Sequence, residues 1–265
     1  MRIATFNMER GGSLGHWARA LAATAADLFF AQESVDPLGL ARESSEPWPA
    51  LGPGATTWSV VPGRRRARWG SAVLVRSGAI ESIAVPGFGG WVVGGKVSVG
   101  SASFHAFSVH IPSRPGASYE KLADRLVSRL ARIVKGEPLL LGGDWNVTVG
   151  RRHPEEPKQN SRRELAWLDR LEGELGVVSA WQACHREQHL PQTLRWRRDP
   201  LPPYHCDGIF LPLPWVAELK SAEVLTGPEW AELSDHNPVE VEVERIETPQ
   251  ATSESAGARP GGPGA

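Results

Sequence analysis

Apolar residues in this chain come in short runs, and that limits what it can fold into more than any other feature. "RIATFN", "LFFAQE", "TWSVV", "SAVLV", "WVVGGKVSV" and "SFHAFSVHI" are brief apolar or alternating stretches, and they are bounded by Gly, Pro and polar clusters. Runs of that length and pattern read as strands. "TLRW", "DGIFLP" and "PVEVEVE" return to the same pattern in the last third. Helical spacing is confined to a few segments. "HWARALAATAADL" is one. In "SYEKLADRLVSRLARIVKG", Tyr119, Leu122, Leu126, Leu130 and Ile133 recur on one face, Ser118 can cap the start and Gly136 can end it. "SRRELAWLDRL" opens with Ser161 and Glu164 three residues later, a capping box. Many strands with a few interspersed helices, and no repeat, predict an α/β sandwich of two packed sheets with helices outside, not an alternating doubly wound sheet.

The chain has 265 residues, 41% of them hydrophobic, enough for a sizeable core, and no long linker divides it. Residues 1–246 read as one domain. From Glu247 the stretch "ETPQATSESAGARPGGPGA" lacks large apolar residues and is expected to be disordered. A formal net charge of -1 and a pI of about 6.7 exclude a broad polycationic coat for nucleic acid but leave room for local basic patches. Two cysteines make no disulfide framework, so a reduced, cytoplasmic setting is the simpler expectation. Cys184 and Cys206 with His185, His189 and His205 match no tight zinc-ligand spacing. The opening "MRIATFNMERGG" has no long apolar core, so no signal peptide is expected, and no run is long enough to span a membrane.

The strand ends carry the chemistry. "ATFN" ends on Asn7, "FFAQE" on Glu33 and "FSVH" on His110. "LLLGGDWNVTVG" leaves an apolar run through two glycines and at once presents Asp144 and Asn146. Alternation along an extended chain would turn those two to one side, an anionic oxygen beside an amide, which suits a metal ion or a phosphate. Asp207 begins "DGIF", and Asp235 and His236 stand just before the last strand. Any one of these could be a turn or capping residue. Together, in this order, they suggest a site, because rigid strands present catalytic groups at their ends.

"TFN", "QE", "VH", "GDWN", "CDGIF" and "SDHNPV", running from Thr5 to Val239, resemble the endonuclease/exonuclease/phosphatase superfamily. The resemblance implies a four-layered α/β sandwich, its two sheets mainly antiparallel, with the active site at the loop ends of both. It also implies a metal-dependent hydrolase of phosphate esters. Such a reaction needs an activated water, neutralisation of the phosphoryl oxygens and help for the leaving oxygen. Mg²⁺, or Mn²⁺ in its place, favours carboxylate and amide oxygens. Glu33 is the first choice of ligand, with Asn7 beside it and Asp235 contributing. By similarity, His236 would serve as general base or phosphate contact, held in its tautomer by Asp207. Asp144 would position or deprotonate the attacking water, Asn146 would bind a phosphoryl oxygen, and His110 would contact phosphate or aid the leaving group.

The substrate is less defined. Basic clusters interleave with aromatics in "GRRRARWG" (Gly63 to Gly70), "GRRH" (Gly150 to His153) and "LRWRRDP" (Leu194 to Pro200), and Trp69 or Trp196 could stack on bases. Solvated surface loops would look the same. Gly208 follows Asp207 where the inositol phosphatases place a basic residue, and "NMERGGSLGHW" does not reproduce the glycine and arginine run of abasic-site endonucleases. The reading is a nuclease-type phosphodiesterase acting on DNA or RNA. A phosphatase or phosphodiesterase of small or lipid-like esters is the alternative. A non-catalytic phosphate- or nucleic-acid-binding descendant is disfavoured, since binding alone has little use for an Asp-His pair.

Overall fold

The computed structural model describes residues 1–11, 13–43, 56–62, 69–196, 204–244 and 246. In chain order the elements are β1 (Arg2–Asn7), α1 (Leu14–Thr24), β2 (Leu28–Val35), α2 (Pro37–Glu43), β3 (Thr56–Val60), β4 (Trp69–Val75), β5 (Ala79–Ser82), β6 (Val92–Val99) and β7 (Ala102–His110). Then come α3 (Tyr119–Val134), β8 (Leu139–Asp144), α4 (Arg162–Leu175), β9 (Val177–Ser179), α5 (Ala180–Cys184) and β10 (Asp207–Pro212). After a 3-10 turn at Leu213–Glu218 the chain forms β11 (Leu219–Val224), α6 (Pro228–Leu233) and β12 (Val239–Val243).

The strands make two six-stranded sheets, ordered β11-β12-β1-β2-β4-β3 and β5-β6-β7-β8-β10-β9. Each has one parallel pair at its centre, β1 with β2 and β7 with β8, and antiparallel neighbours on both sides. A parallel pair needs a crossover, and α1 and α3 supply the two crossovers. Period-2 alternation then divides the side chains. Ile3, Leu28, Phe30 and Val73 of the first sheet meet Val97, Phe104, Leu140 and Ile209 of the second in a shared inner core. Ala4, Phe6 and Phe29 face outward onto Trp17 of α1 and Trp230 of α6. Phe107, Leu141 and Phe210 face outward onto Leu122, Leu126 and Leu130 of α3 and Trp167 and Leu171 of α4. The result is helix, sheet, sheet, helix, as the strand-dominated pattern and the family resemblance imply.

The double glycine of β8 lies where neighbours approach closely. A Cβ on Gly142 would come 2.3 Å from Cδ2 of Phe30 on the facing sheet, and one on Gly143 would come 1.9 Å from the Val109 carbonyl oxygen of β7. The run therefore uses glycine because neighbours on both sides occupy the space of a side chain.

Several boundaries differ from the sequence reading. The first helix stops at Thr24, because Ala25 takes a left-handed conformation (φ 46°) while its N–H caps Leu21, and Leu28 already belongs to β2. The third starts on the Ser118 cap but ends at Val134, two residues before Gly136, with Lys135 left-handed at φ 49°. The Ser161–Glu164 capping box is present on α4. "TLRW" is no strand, since Leu194 makes only isolated bridges, to Tyr204 and His236. The short elements α2, β5, β9, α5, β11 and α6 carry too few patterned residues to be read in advance. The tail from Glu247 lies outside the described residues.

Candidate active site

The C-terminal ends of β1, β2, β7 and β8 open on one cleft of about 410 Å³. Strand register does most of the placing. His110, Asp144 and Asp207 stand side by side on β7, β8 and β10, with His110 paired to Asp144 and Asp144 to Asp207. The other sheet contributes Asn7 at the end of β1 and Glu33 on β2. Glu33 would face away from the cleft in a regular strand, opposite its neighbour Gln32. A bulge between Ala31 and Ser34 puts it in a left-handed conformation, φ 47°, and turns it inward. Six described non-glycine residues have positive φ, and four of them, Glu9, Arg10, Glu33 and Asn146, line this cleft. Backbone strain is concentrated at the site.

Below the cleft the sheets are joined by a buried polar layer. Gln32 Nε2 donates to Thr5 Oγ1 (3.1 Å) and to Ser108 Oγ (2.9 Å) of the opposite sheet, and Ser108 donates to the Ala31 carbonyl (2.8 Å). This layer fixes the relative height of the strand ends that carry Asn7, Glu33 and His110.

Two hydrogen-bonded units rest on it. In the first, Asp144 accepts the Asn146 backbone N–H (3.0 Å), Asn7 Nδ2 (3.0 Å) and Asn146 Nδ2 (3.2 Å). Asn146 also donates to the Ile111 carbonyl (3.0 Å), and Asn7 Oδ1 accepts the Glu9 N–H (3.0 Å). In the second, both Asp207 oxygens lie 2.9 and 3.0 Å from His236 Nδ1, and His236 Nε2 faces Asp235 Oδ1 at 3.8 Å. His110 Nε2 stands 3.7 Å from both Glu33 and Asp144, its ring walled by Trp91 (centroids 5.0 Å apart) and Trp69 (5.9 Å).

A strap over residues 192–195 locks the second unit from outside. Thr193 Oγ1 accepts the N–H groups of Cys206 and Asp207, both at 3.0 Å. Arg195 holds Asn237 Oδ1 and the carbonyls of Ser234 (2.6 Å) and His236 (3.3 Å). Ser234 Oγ in turn donates to the Asn7 carbonyl (2.7 Å), tying the last loop to β1.

Burial and charge set the protonation states. Burial, and next the charge of Asp207, push Asp144 up to about 7. Burial alone would lower His236, but the Asp207 carboxylate outweighs it, with help from Asp144 and Asp235, and holds the imidazole at about 10. Near neutral pH His236 is therefore an imidazolium with Nε2–H directed into the cleft. His110 goes the other way. Burial, aided by His236 and Arg10, lowers it to about 3, so it stays neutral. Burial also raises Glu33, against the pull of Arg10.

The oxygen donors suit a hard divalent cation. Glu33, Asp144 and Asp235 line one cleft, with Arg10 at 3.2 Å from Glu33 and His236 as the cations set against them. The raised carboxyls of Glu33 and Asp144 are those of groups that an added positive charge would stabilise as anions. Glu33, Asn7 and Asp235 are oxygen ligands of the kind Mg²⁺ or Mn²⁺ takes.

All eight residues singled out in the sequence thus meet at this end of the sandwich, seven of them lining the cleft and Asp207 buried behind His236. The basic clusters fare differently. Arg151 pairs with Asp169, Arg152 forms a buried pair with Glu156 (2.7 Å), and Arg195 is taken up by the strap, and none of the three lines the cleft. Gly63–Arg68 and Arg197–Pro200 lie outside the described residues. Trp69 is buried against Trp91 and His110, whereas Trp196 is 56% exposed on the cleft wall. Arg10, stacked 5.8 Å over Trp69, was not singled out, and neither were Glu9, Trp91, Ser113 or Tyr119. Arg10 could have been sought as a cation for Glu33, since it lies three residues past Asn7. Cysteines and histidines whose spacing matches no zinc site are engaged elsewhere. Cys206 sits behind Asp207, His205 bonds the Pro191 carbonyl (2.9 Å), and His185 stacks on Trp181.

Comparison with known proteins agrees with this fold. No curated protein sequence matches the chain significantly. An abasic-site (AP) endonuclease from Archaeoglobus fulgidus superposes with a TM-score of 0.67 at 16% identity, covering 92% of this chain and 100% of that one. The 3′ phosphatase NExo from Neisseria, bound to a product DNA hairpin, gives 0.63 at 21% identity with the same coverage. The endonuclease domain of TRAS1, a telomere-specific non-LTR retrotransposon, gives 0.60 at 18%, covering 92% and 97%. Residues 4–236 match the Endonuclease/Exonuclease/phosphatase family, a span that begins just before Asn7 and closes on His236. The chain belongs to that family and is a phosphoesterase.

Proposed function

We propose that the chain is a Mg²⁺-dependent phosphodiesterase of nuclease type. The observation that carries this reading is the convergence of the Asp207–His236 pair on the same cleft as the Asn-clamped Asp144. An imidazolium that meets the phosphoryl oxygens and an oriented carboxylate that takes the proton of the water are what attack on a phosphate ester needs. Mg²⁺, when bound by Glu33 with Asn7 and Asp235, would neutralise the phosphoryl oxygens and ease departure of the leaving oxygen.

The side chains divide the remaining tasks. Asp144, its oxygens fixed by Asn7 and Asn146, orients the attacking water and takes its proton, for which a pKa near 7 is well matched. His236, cationic against Asp207, offers Nε2–H to a phosphoryl oxygen. Of the two roles its sequence context suggests, phosphate contact is the one its charge favours. Asn146 spends its N–H groups on Asp144 and Ile111, so it acts by holding Asp144 in place. Neutral His110 lies between Glu33 and Asp144 and supports the leaving-group side.

Two observations favour a polynucleotide over a small ester. Trp196 presents an exposed indole on the cleft wall, a surface on which a base can stack. The structures this chain resembles include a phosphatase bound to a DNA hairpin and an AP endonuclease. The test is a Mg²⁺-dependent time course on end-labelled single- and double-stranded DNA and RNA, with His236→Ala alongside. Cleavage by the wild type and at least about a hundredfold less by the variant is expected. Turnover of a small phosphomonoester with all polynucleotides intact would overturn the nuclease assignment.

A further inference from the structure

Away from the cleft, His153, Glu155 and His189 come together, with one ligand atom from each lying within 4.8 Å of the others. None of the three lines the cleft. They come from two segments, the loop after β8 and the turn after α5, and the two imidazoles face each other at 5.2 Å between centroids, 26° from parallel.

The packing beneath holds them there. Glu156 is buried and serves both segments at once. Its Oε1 accepts the N–H of His153 (3.1 Å) and of Leu190 (3.2 Å), the latter adjacent to His189, while its Oε2 is paired with buried Arg152 (2.7 Å). Asn160 Oδ1 accepts the Arg152 N–H (2.7 Å), and Gln159 Nε2 donates to the carbonyls of His153 (3.0 Å) and Glu156 (2.7 Å). The backbones carrying the two histidines are thus tied through one carboxylate. Above them the donors are little used. Among the described residues no hydrogen bond or ion pair engages the Glu155 carboxylate or the His189 ring, and His153 Nδ1 accepts only the Glu155 N–H, at 3.3 Å.

We propose that His153, Glu155 and His189 form a second metal site that takes a borderline transition ion such as Zn²⁺ and clamps the loop after β8 to the turn after α5. Two imidazoles and a carboxylate are a set that suits Zn²⁺, Ni²⁺ or Cu²⁺, in contrast to the oxygen donors of the cleft. Tetrahedral Zn²⁺ with bonds of about 2.0–2.1 Å spaces its ligands by about 3.3 Å. Side-chain rotation has to close at most about 1.5 Å from the separation observed, with the backbone held as it is. Water completes the coordination of this half-exposed site.

Equilibrium dialysis of the full chain against Zn²⁺, with excess Mg²⁺ present to occupy the cleft, tests the site. The wild type and Glu33→Gln should each retain one Zn²⁺ at this position. The double variant His153→Ala/His189→Ala should lose it, and Glu155→Gln should bind at least about tenfold more weakly. Zn²⁺ should raise the melting temperature of the wild type but not of the double variant. Unchanged Mg²⁺-supported turnover in the double variant would show that it is folded. A wild type that binds no Zn²⁺ beyond the double variant, or loses it in Glu33→Gln instead, overturns the proposal.

Discussion

Gly142→Ala tests how closely the two sheets are fitted. The added methyl would sit 2.3 Å from Cδ2 of Phe30 and 2.8 and 2.9 Å from Cγ and Cε2. Ordinary carbon contacts are about 3.5–4.0 Å, so ring or sheet must yield by more than about 1 Å. Phe30 is fully buried in the inner core, and its ring has no open space to enter. Overpacking of this kind costs about 1–3 kcal/mol, partly offset by the roughly 0.4–1 kcal/mol that alanine contributes by restricting the unfolded chain. Phe30→Leu alone should also destabilise, by about 1–2 kcal/mol, through the space it leaves. In the double variant the methyl fills part of that space, so the two losses should fall short of adding by at least about 1 kcal/mol. Urea unfolding followed by tryptophan fluorescence would measure all four proteins. Turnover should follow the same pattern, since Asp144 lies two residues further along β8. Simple additivity of the single losses would refute the idea that Gly142 exists to admit the Phe30 ring.

Other expectations concern the cleft. Asp207→Asn removes the charge that holds His236 near 10, letting burial pull it back towards or below its ordinary 6.5. If turnover needs the imidazolium, the variant should lose activity as pH rises through about 6.5, with at least about a tenfold deficit at pH 7.5, and an alkaline limb unmoved in the pH–rate profile would contradict that. Asp144→Asn should abolish turnover and, although its amide turns a donor towards the N–H groups of Asn7 or Asn146, should gain on the wild type in metal-free stability as pH rises. The native carboxyl is raised from 3.8 to about 7, so the folded state binds the proton more tightly and stability falls as pH rises between those values. Melting in EDTA should show the difference between variant and wild type moving in the variant's favour from pH 5 to pH 8, and an equal difference at both would count against the assignment. Glu33→Ala should raise the Mg²⁺ needed for half-maximal activity by at least about tenfold, and an unchanged titration would remove it as a ligand.

Much of the site was legible because strand ends announce themselves. Asn7, His110 and Asp144 each close an apolar run, and the register of β7 with β8 puts the last two side by side. Family resemblance then joined them to Asp207 and His236, which no local pattern connects. What stayed hidden depended on partners distant in sequence. Glu33 reaches the cleft through a bulge, and a bulge has no periodicity to read. Arg151 looks like a phosphate binder in the sequence, but Asp169 claims it once α4 folds back, and the neighbouring Arg152 is buried against Glu156, four residues on. Arg10 looks like any loop arginine until Glu33 and Trp69 are seen beside it. The strand β5 is mostly exposed and gives little contrast between its faces.

The bond from Ser234 to the Asn7 carbonyl spans 227 residues, and β1 is paired along its length with β12. Its consequence is kinetic. Contacts so far apart in sequence are slow to form, while α3 and α4 need mainly local ones. During refolding, helical signal should return well before turnover, because His236 cannot be delivered to Asp144 until β12 has closed against β1. Catalysis is then the last property this chain acquires, and a nascent or partly unfolded copy leaves phosphate esters untouched.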